Sequence, residues 1–481
     1  MRIATIGGGI SGLAAAWHLQ QQTTAELSLW ESQRHLGGCI RTERVGDWLL
    51  ELGPDNFATM IPDAMEWCRQ MGLESEFIRP NVEHRLARVV HRGKLQPIPQ
   101  GFSLLQPTRL DAIAASRLLT LAGKWRLVRE WWVPRRTDGQ EESLEQFAVR
   151  RLGREVFERL VEPIVAGIFT ADSKQLSMQA ALPQFVEMER RHGGLLKAAW
   201  ASRRELRGKG GPDSNSSRRA HGARYDQFVA PREGMSWWVD QITHQLDQTS
   251  IHRQTPITRL IHDERGWNLL GPDGKQLATA DTVIYACGAP VASRLLQAQA
   301  PQLAQELAAI PYASSAVGLF VVRRSEIATK DLCFGIVVPA VEKRPVLAIS
   351  MTSEKYPGRV PEDCCLLRVF MGGALRNDLL AYDDSRLLDL AWREVHQLLR
   401  LKSPPLHRQM VRWHQAMPQY CLGHLARLQR IEERRLQLPG LHLTGNAFDG
   451  VGIPQCIRHA KRVVAKMIAA LPARLKKSQC P

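Results

Sequence analysis

The residues with chemistry to offer stand at the start of the chain. In Arg2-Ile3-Ala4-Thr5-Ile6-Gly7-Gly8-Gly9-Ile10-Ser11-Gly12, the glycines at 7, 9 and 12 have the G-x-G-x-x-G spacing. Ile3 to Ile6 read as a short buried strand and Leu13 to Gln20 as a helix. A turn of this kind holds a pyrophosphate. Gly7 permits the tight turn, Gly9 lets backbone approach phosphate oxygens, and Gly12 lets strand and helix pack closely, so the phosphates meet the positive helix N-terminus. A second apolar run, Ala25 to Trp30, ends in Glu31, 19 residues beyond Gly12. An acid that binds a ribose hydroxyl is expected roughly 20 residues on. Strand, turn, helix and acid together predict a dinucleotide site.

Two later segments narrow the choice of dinucleotide: Gly37-Gly38-Cys39-Ile40-Arg41-Thr42 and Leu50-Glu51-Leu52-Gly53-Pro54-Asp55. A nicotinamide dehydrogenase needs neither. On these residues the chain resembles the flavin-dependent amine oxidase superfamily, whose members follow the ribose acid with Gly-Gly-Arg-x-x-[ST] and then a glycine close to the flavin ring. The resemblance implies FAD. It also implies cofactor contacts from Ile10, Ser11, Ser32, Gly37, Gly38, Gly53, Pro54 and Asp55 beside the turn glycines and Glu31. Cys39 departs from the usual Arg or Lys, and Arg41 is the expected substitute.

The elements that must position these residues follow in order. Pro62 to Leu73 reads as a helix ended by Gly72, and Arg85 to Leu95 as a hairpin closed by Pro97 and Pro99. Asp111 to Val133 reads as one helix whose stripe is Leu118, Leu121, Trp125, Val128 and Trp132, flanked by Arg117, Lys124, Arg126 and Arg129. Such a stripe packs on a core or lies on an anionic membrane, and the core is the expectation. Ser143 to Gln146 form a capping box for a helix through Leu152. Glu162 to Asp172 is unexplained by periodicity and reads as a buried turn. Residues 203–224 read as a mobile basic loop, expected to be a solvated insertion.

Farther on, a helix is expected from Trp237 to Gln245, strands at 250–254 and 257–263, a hairpin turning at Asp273-Gly274, and a buried strand from Asp281 to Gly288. Strands at 317–322, 346–350 and 365–370 imply a mixed or antiparallel sheet, with a helix from Ser385 to Leu401. Finally Leu441 to Asn446 is a strand ending in a turn, and Gly450-Val451-Gly452-Ile453-Pro454 opens a closing helix whose N-terminus faces the flavin. The expected fold is α/β. A Rossmann-like FAD-binding domain (1–80, 225–290 and 430–481) joins a mixed-sheet substrate domain (81–100 and 291–429), with a helical insertion (101–200) and the flexible basic loop.

Composition bounds the function. At 481 residues, with 44% hydrophobic and 23% charged, the chain is globular and long enough for two or three domains. A formal net charge of +16 favours acidic partners, yet Arg and Lys are spread out without any nucleic-acid-binding motif, so no nucleic acid partner is expected. The nine cysteines include no C-x-x-C pair and read as free thiols in a reducing compartment. No metal-ligand spacing and no nucleophile–base pair is found. The start of the chain reads as strand, turn and helix rather than as a removable leader, and no apolar run reaches the 18 or more residues of a spanning helix. The expected location is cytoplasmic, with peripheral contact at the inner membrane surface as the open alternative.

Three signals then converge: Glu-Pro-x-x-x-Gly-Ile at 162–168, Pro231 to Ser236, and Gly-Asn-x-x-x-Gly-Val-Gly-Ile-Pro at 445–454. On these the chain resembles one branch of the superfamily, protoporphyrinogen oxidase and the bacterial coproporphyrinogen III oxidase, from residue 1 to about 470. The resemblance implies oxidation of a porphyrinogen to a porphyrin in heme biosynthesis, with oxygen reoxidising FAD. Protoporphyrinogen IX is the first expectation and coproporphyrinogen III the alternative, with pathway enzymes as further partners. It places Ile257, Gly445, Asn446, Gly452 and Ile453 at the cofactor, and Gly167 and Ile168 at an apolar substrate slot with no side-chain acid or base. Arg85 and Arg88 are candidate propionate partners, against a reading as solvated strand arginines. A flavin amine oxidase would want an aromatic cage that the closing motif lacks, and a carotenoid desaturase lacks the mid-chain motif. A non-catalytic porphyrin-binding flavoprotein is the remaining rival.

Overall fold

The computed structural model describes residues 1–208, 227–328 and 331–477. A parallel five-stranded sheet runs in the order Thr249–His252, Glu26–Trp30, Arg2–Ile6, Thr282–Tyr285, Leu441–Leu443. Its strands come from three separate stretches of sequence. Alternation along each strand explains how both faces are buried. Ile3, Leu27, Leu29 and Ile284 meet the helices Ile10–Gln22, Asp63–Gln70, Met235–His244 and Ile453–Ala470. Ala4, Ile6, Val283 and Tyr285 meet the other layer, made by Ala289–Leu296, Pro301–Ala308 and the antiparallel sheet Arg259–Asp263, Gly266–Leu270, Gln276–Ala280.

A seven-stranded mixed sheet forms the second body, ordered His407–Pro418, Tyr312–Arg323, Cys364–Gly372, Val346–Met351, Gly335–Val337, Ala87–His91, Lys94–Pro97. Only the Gly335–Val337/Ala87–His91 pair is parallel. Period-two alternation again sorts its residues. Ala316, Phe320 and Val322 pack with the Asp384–Leu399 helix, while Val317, Leu319 and Val321 pack on Leu50 and Leu52. A helical layer built around Phe147, Leu160 and Val165 covers Val89.

Several expected elements take a different form. The Asp111–Val133 helix is broken: Leu110–Ala115 ends at Ser116, and Leu121–Val128 starts anew with Thr120 as cap, its hydroxyl accepting from Gly123 N. Its stripe packs on the core only in part: Leu118 is buried in the helical layer and Val128 half-buried, while the other three residues turn outward. Leu121, Trp125 and Trp132 are 80%, 68% and 69% exposed, because Gly123, Leu127 and Glu130 take the inward face. Glu162–Phe169 is a helix rather than a turn; it runs on directly from the wide helical turn Phe157–Val161, with Pro163 at that junction and left-handed Thr170 as its end. The start of the basic loop is helical too, since Leu195–Gly208 is one helix; 209–224 lie outside the described residues. The capping box at Ser143 forms as expected.

Candidate functional site

The strand Arg2–Ile6 delivers Gly7 at φ +104°, a conformation that suits only glycine, where a Cβ would also strike Cys287 Sγ at 2.4 Å. A Cβ on Gly12 would sit 1.8 Å from the Gly7 carbonyl oxygen, so helix and turn touch through backbone. Gly9 differs. Its φ of −70° suits any residue, and a Cβ there meets nothing nearer than Gly38 Cα at 4.0 Å. The space before it is open, and no side chain caps the Ile10–Gln22 helix that follows. Uncapped first-turn N–H groups facing an open cradle are what a pyrophosphate requires.

Glu31, buried at the end of its strand, turns back to the same turn. One carboxylate oxygen accepts from Gly8 N at 2.7 Å, and the other from Gln33 N at 2.8 Å and the Ser32 hydroxyl at 3.1 Å. A carboxylate has about four acceptor sites, so room remains for a ribose hydroxyl. Thr255 N donates to the Glu31 carbonyl, which brings the chain leading to buried Ile257 alongside. Gly37 N donates to the Gly8 carbonyl, and Gly38 faces Gly9. Cys39 and Arg41 are both exposed.

The strap Gly53-Pro54-Asp55 lies on the next layer. A Cβ on Gly53 would come within 1.8 Å of the Cys39 carbonyl, and Trp413 Nε1 donates to the Leu52 carbonyl at 2.9 Å. Burial alone would raise the Asp55 carboxyl, but Lys355 and Arg368 outweigh it and hold it at about 2. Opposite stands the Ile453–Ala470 helix, also without a side-chain cap at Gly452 and packed along the Ile10–Gln22 helix. Tyr420 shapes its approach loop: the hydroxyl donates to the Asn446 carbonyl at 2.6 Å and accepts from Gly450 N at 2.8 Å. Gly445 and Gly450 have φ of +132° and +125°. The Asn446 amide donates to the Ala416 carbonyl. The structure thus ties the turn glycines to Glu31 and Gly37 through the Gly8 backbone, sets Gly38 beside Gly9 and the strap against the Cys39 carbonyl, and holds the Gly445–Ile453 loop through Tyr420.

Gly167 and Ile168 lie near the end of the Glu162–Phe169 helix. Gly167 faces Ala348 of the mixed sheet, and Ile168 is 46% exposed. Gln419 Nε2 donates to the Phe169 carbonyl and Ala374 N to the Thr170 carbonyl, which fixes this helix end. Glu162, at the other end, accepts from Ala340 N at 3.1 Å, and burial pushes its carboxyl up to about 7. Arg85 Nε donates to the Asn81 carbonyl at 3.4 Å within its own loop, and Arg88 lies on the Ala87–His91 strand.

Trp413, Tyr420, Lys355 and Arg368 were not found from sequence. Trp413 sits on an edge strand whose run, His407-Arg408-Gln409-Met410-Val411-Arg412, carries too many polar residues to stand out. The one available signal was the pair of aromatics, Trp413 and Tyr420, just upstream of the glycine-rich closing motif.

The sequence family described as flavin containing amine oxidoreductase matches residues 10–468. Among curated relatives, the coproporphyrinogen III oxidase of Propionibacterium freudenreichii subsp. freudenreichii is 31% identical, covering 98% of this chain and 92% of the relative. That of Bacillus subtilis (strain 168) is 28% identical over 98% of each. The protoporphyrinogen oxidase of Bos taurus is 29% identical over 98% and 99%. A crystal structure from Exiguobacterium sp. 255-15, provisionally named a protoporphyrinogen oxidase, superposes with a TM-score of 0.84 at 26% identity, covering 98% and 99%. Reduced UDP-galactopyranose mutase, at 16% identity and a TM-score of 0.70 over 98% and 96%, shares the fold alone. With the open cradle at Gly9 and the acid at Glu31, these likenesses make the chain an FAD-dependent oxidoreductase. It belongs to the flavin containing amine oxidoreductase family, in the branch of the protoporphyrinogen and coproporphyrinogen III oxidases.

Proposed function

We propose that the protein oxidises a porphyrinogen to a porphyrin, with coproporphyrinogen III and protoporphyrinogen IX as the substrates to compare. The observation that carries this reading is the end-to-end likeness to relatives named for that reaction. Bound FAD would supply a two-electron acceptor for hydride equivalents from the macrocycle's ring carbons, with oxygen as the final acceptor and hydrogen peroxide as its product. The chain's own part is to bind and orient. The turn at Gly9 and the carboxylate of Glu31 would hold the phosphates and a ribose, and Tyr420 fixes the loop that leads into the Gly452 helix N-terminus. Gly167 admits a flat ring where any larger side chain would project toward Ala348, and Ile168 offers apolar contact. Within this reading the three stretches of the parallel sheet are the FAD-binding domain, and the mixed sheet the substrate domain.

The test is oxygen uptake and porphyrin fluorescence of the yellow protein with coproporphyrinogen III and protoporphyrinogen IX side by side. A preference in kcat/KM names the substrate. Turnover of neither by FAD-loaded protein rejects the reading.

A second reading concerns location. Among the described residues no helix is long and apolar enough to cross a membrane. The exposed Leu121, Trp125, Trp131, Trp132 and Trp200 are interleaved with basic groups: Lys197 lies over the Trp131 ring and Arg204 over the Trp200 ring. Aromatics with cations suit the interface of an anionic bilayer. We place this face on the membrane. Co-sedimentation with phosphatidylglycerol vesicles, lost in Trp125→Ser/Trp132→Ser and absent with phosphatidylcholine, is the expected result; no binding to either rejects it.

A further inference from the structure

The mixed sheet reaches the flavin surface through one fully buried cation. Arg368 lies on the Cys364–Gly372 strand, opposite Leu319 on one side and Ser350 on the other, and is 2% exposed. It shares its face of the strand with Leu366 and Phe370, which pack toward Leu50 and Leu52. One guanidinium nitrogen donates to the Gly53 carbonyl, and the other lies 3.3 Å from Asp55 Oδ2. Lys355 Nζ approaches the same carboxylate oxygen at 3.4 Å. Two cations thus share one anion.

The wider surroundings do not cancel this excess. Arg359, 0% exposed, donates to the carbonyls of Pro231 and Arg232. Glu51 accepts from Met235 N at 2.9 Å and the Thr42 hydroxyl at 2.8 Å. Counting Arg359, Arg368 and Lys355 against Glu51 and Asp55 leaves one positive charge, and the further acid near Arg359, Glu233, is exposed and taken up by Arg44 at 3.0 Å; a buried charge without its own partner is expensive. Holding the strap does not by itself require charge. Trp413 does so at Leu52 with a neutral N–H, and Cys39 packs against Gly53 through backbone.

We propose that Arg368 is a positioning residue that fixes the Gly53–Asp55 strap and, with Lys355, supplies positive charge that stabilises the reduced, anionic form of the flavin. This rests on the reading above, in which the cofactor runs from Glu31 past Gly9 and Gly38 to the strap. A fixed cation in a poorly solvated site needs no reorganisation as charge develops, so it favours electron uptake more than the same cation in water. Arginine suits the task, because its planar fork meets a carbonyl and a carboxylate at once and keeps its charge when buried.

The experiment is a reductive titration of the FAD-loaded protein against reference dyes, with visible spectra and steady-state kinetics. Arg368→Met is expected to disfavour flavin reduction at least tenfold, a fall of about 30 mV for a two-electron couple, and to lower kcat more than it changes KM. Arg368→Lys restores most of the potential but not the wild-type visible spectrum, since it keeps the charge and loses the fork. Asp55→Asn shifts the potential the opposite way. Should Arg368→Met fail to fold, Lys355→Met removes the neighbouring charge while leaving the Gly53 bond, and a smaller fall is expected. A potential unchanged in Arg368→Met, or in Lys355→Met where that is the variant available, overturns the inference. The underlying reading fails differently, by wild-type protein that holds no FAD or turns over no porphyrinogen.

Discussion

Gly9 and Gly12 give opposite expectations on replacement by alanine, although both belong to the same turn. At Gly9 the backbone already has φ −70° and ψ 176°, which alanine adopts freely, and its Cβ would meet only Gly38 Cα at 4.0 Å. The apoprotein is therefore expected to keep its stability or gain about 0.4–1 kcal/mol from a stiffer unfolded chain. The same methyl group stands in the open cradle before the helix N-terminus. It pushes a phosphate off at least one N–H donor, and a hydrogen bond to a charged group contributes about 1.5–3 kcal/mol. FAD affinity should fall by roughly 10- to 150-fold. At Gly12 the Cβ would lie 1.8 Å from the Gly7 carbonyl oxygen, a backbone atom that can retreat only by opening the strand–helix turn. Overpacking of this sort costs about 1–3 kcal/mol or more, so Gly12→Ala is expected to lose stability and FAD together. The assays are denaturant unfolding of the apoproteins and FAD titration by flavin fluorescence. A Gly9→Ala protein that binds FAD as tightly as wild type would refute the pyrophosphate assignment, and one whose apoprotein is markedly destabilised would show that Gly9 serves the fold instead.

Other expectations follow from particular contacts. Tyr420→Phe removes a hydroxyl that both donates to Asn446 and accepts from Gly450; with each buried bond contributing about 1 kcal/mol, a loss of about 2 kcal/mol is expected, read as weaker FAD retention as well as lower stability. Glu162, raised from 4.5 to about 7 by burial, binds a proton in the folded chain that the unfolded chain has released. Its contribution is present below pH 4.5 and lost as pH rises through about 7, a change of about 3 kcal/mol; Glu162→Gln should abolish that part of the pH dependence in unfolding measurements. Arg151 and Glu130 are both fully buried, with Glu130 also accepting from Leu195 N and Leu196 N. Arg151→Met should cost about 3–5 kcal/mol by stranding the carboxylate, and the double variant Arg151→Met/Glu130→Gln should recover part of it; equal losses in both would show that the charge is not the cause.

The strand–turn–helix with its acid was legible because its requirements are local. Glycine spacing, one acid and a strand–helix alternation are fixed within about thirty residues, and each is a steric or electrostatic demand of a dinucleotide. The parallel sheet was legible for the same reason, its strands being short apolar runs buried on both faces. The helical layer was not. A stripe at Leu121, Trp125 and Trp132 has the periodicity of a core face, yet the inward face is chosen by Gly123, where Glu155 packs too closely for any side chain, and by the buried Glu130 that receives Arg151. Periodicity finds an apolar face but does not say what covers it.

The residues that complete the site were hidden for a related reason: they act across long sequence separations through groups that look ordinary. Trp413 reaches Leu52, Tyr420 reaches Asn446 and Gly450, and Arg368 reaches Gly53. A tryptophan on a polar edge strand or an arginine within Leu366-Leu367-Arg368-Val369-Phe370 carries no spacing to read. Yet the arginine was conspicuous in another sense. A charged residue amid an otherwise apolar strand run violates the pattern that forms the sheet, and such a violation persists only where something offsets its desolvation. Here the partners are the strap carbonyl and Asp55, contributed by the segment that the family resemblance links to the flavin. Local rules located the glycine turn and its acid, and the exception to the local rules marks the point where the second sheet meets the Gly53–Asp55 strap.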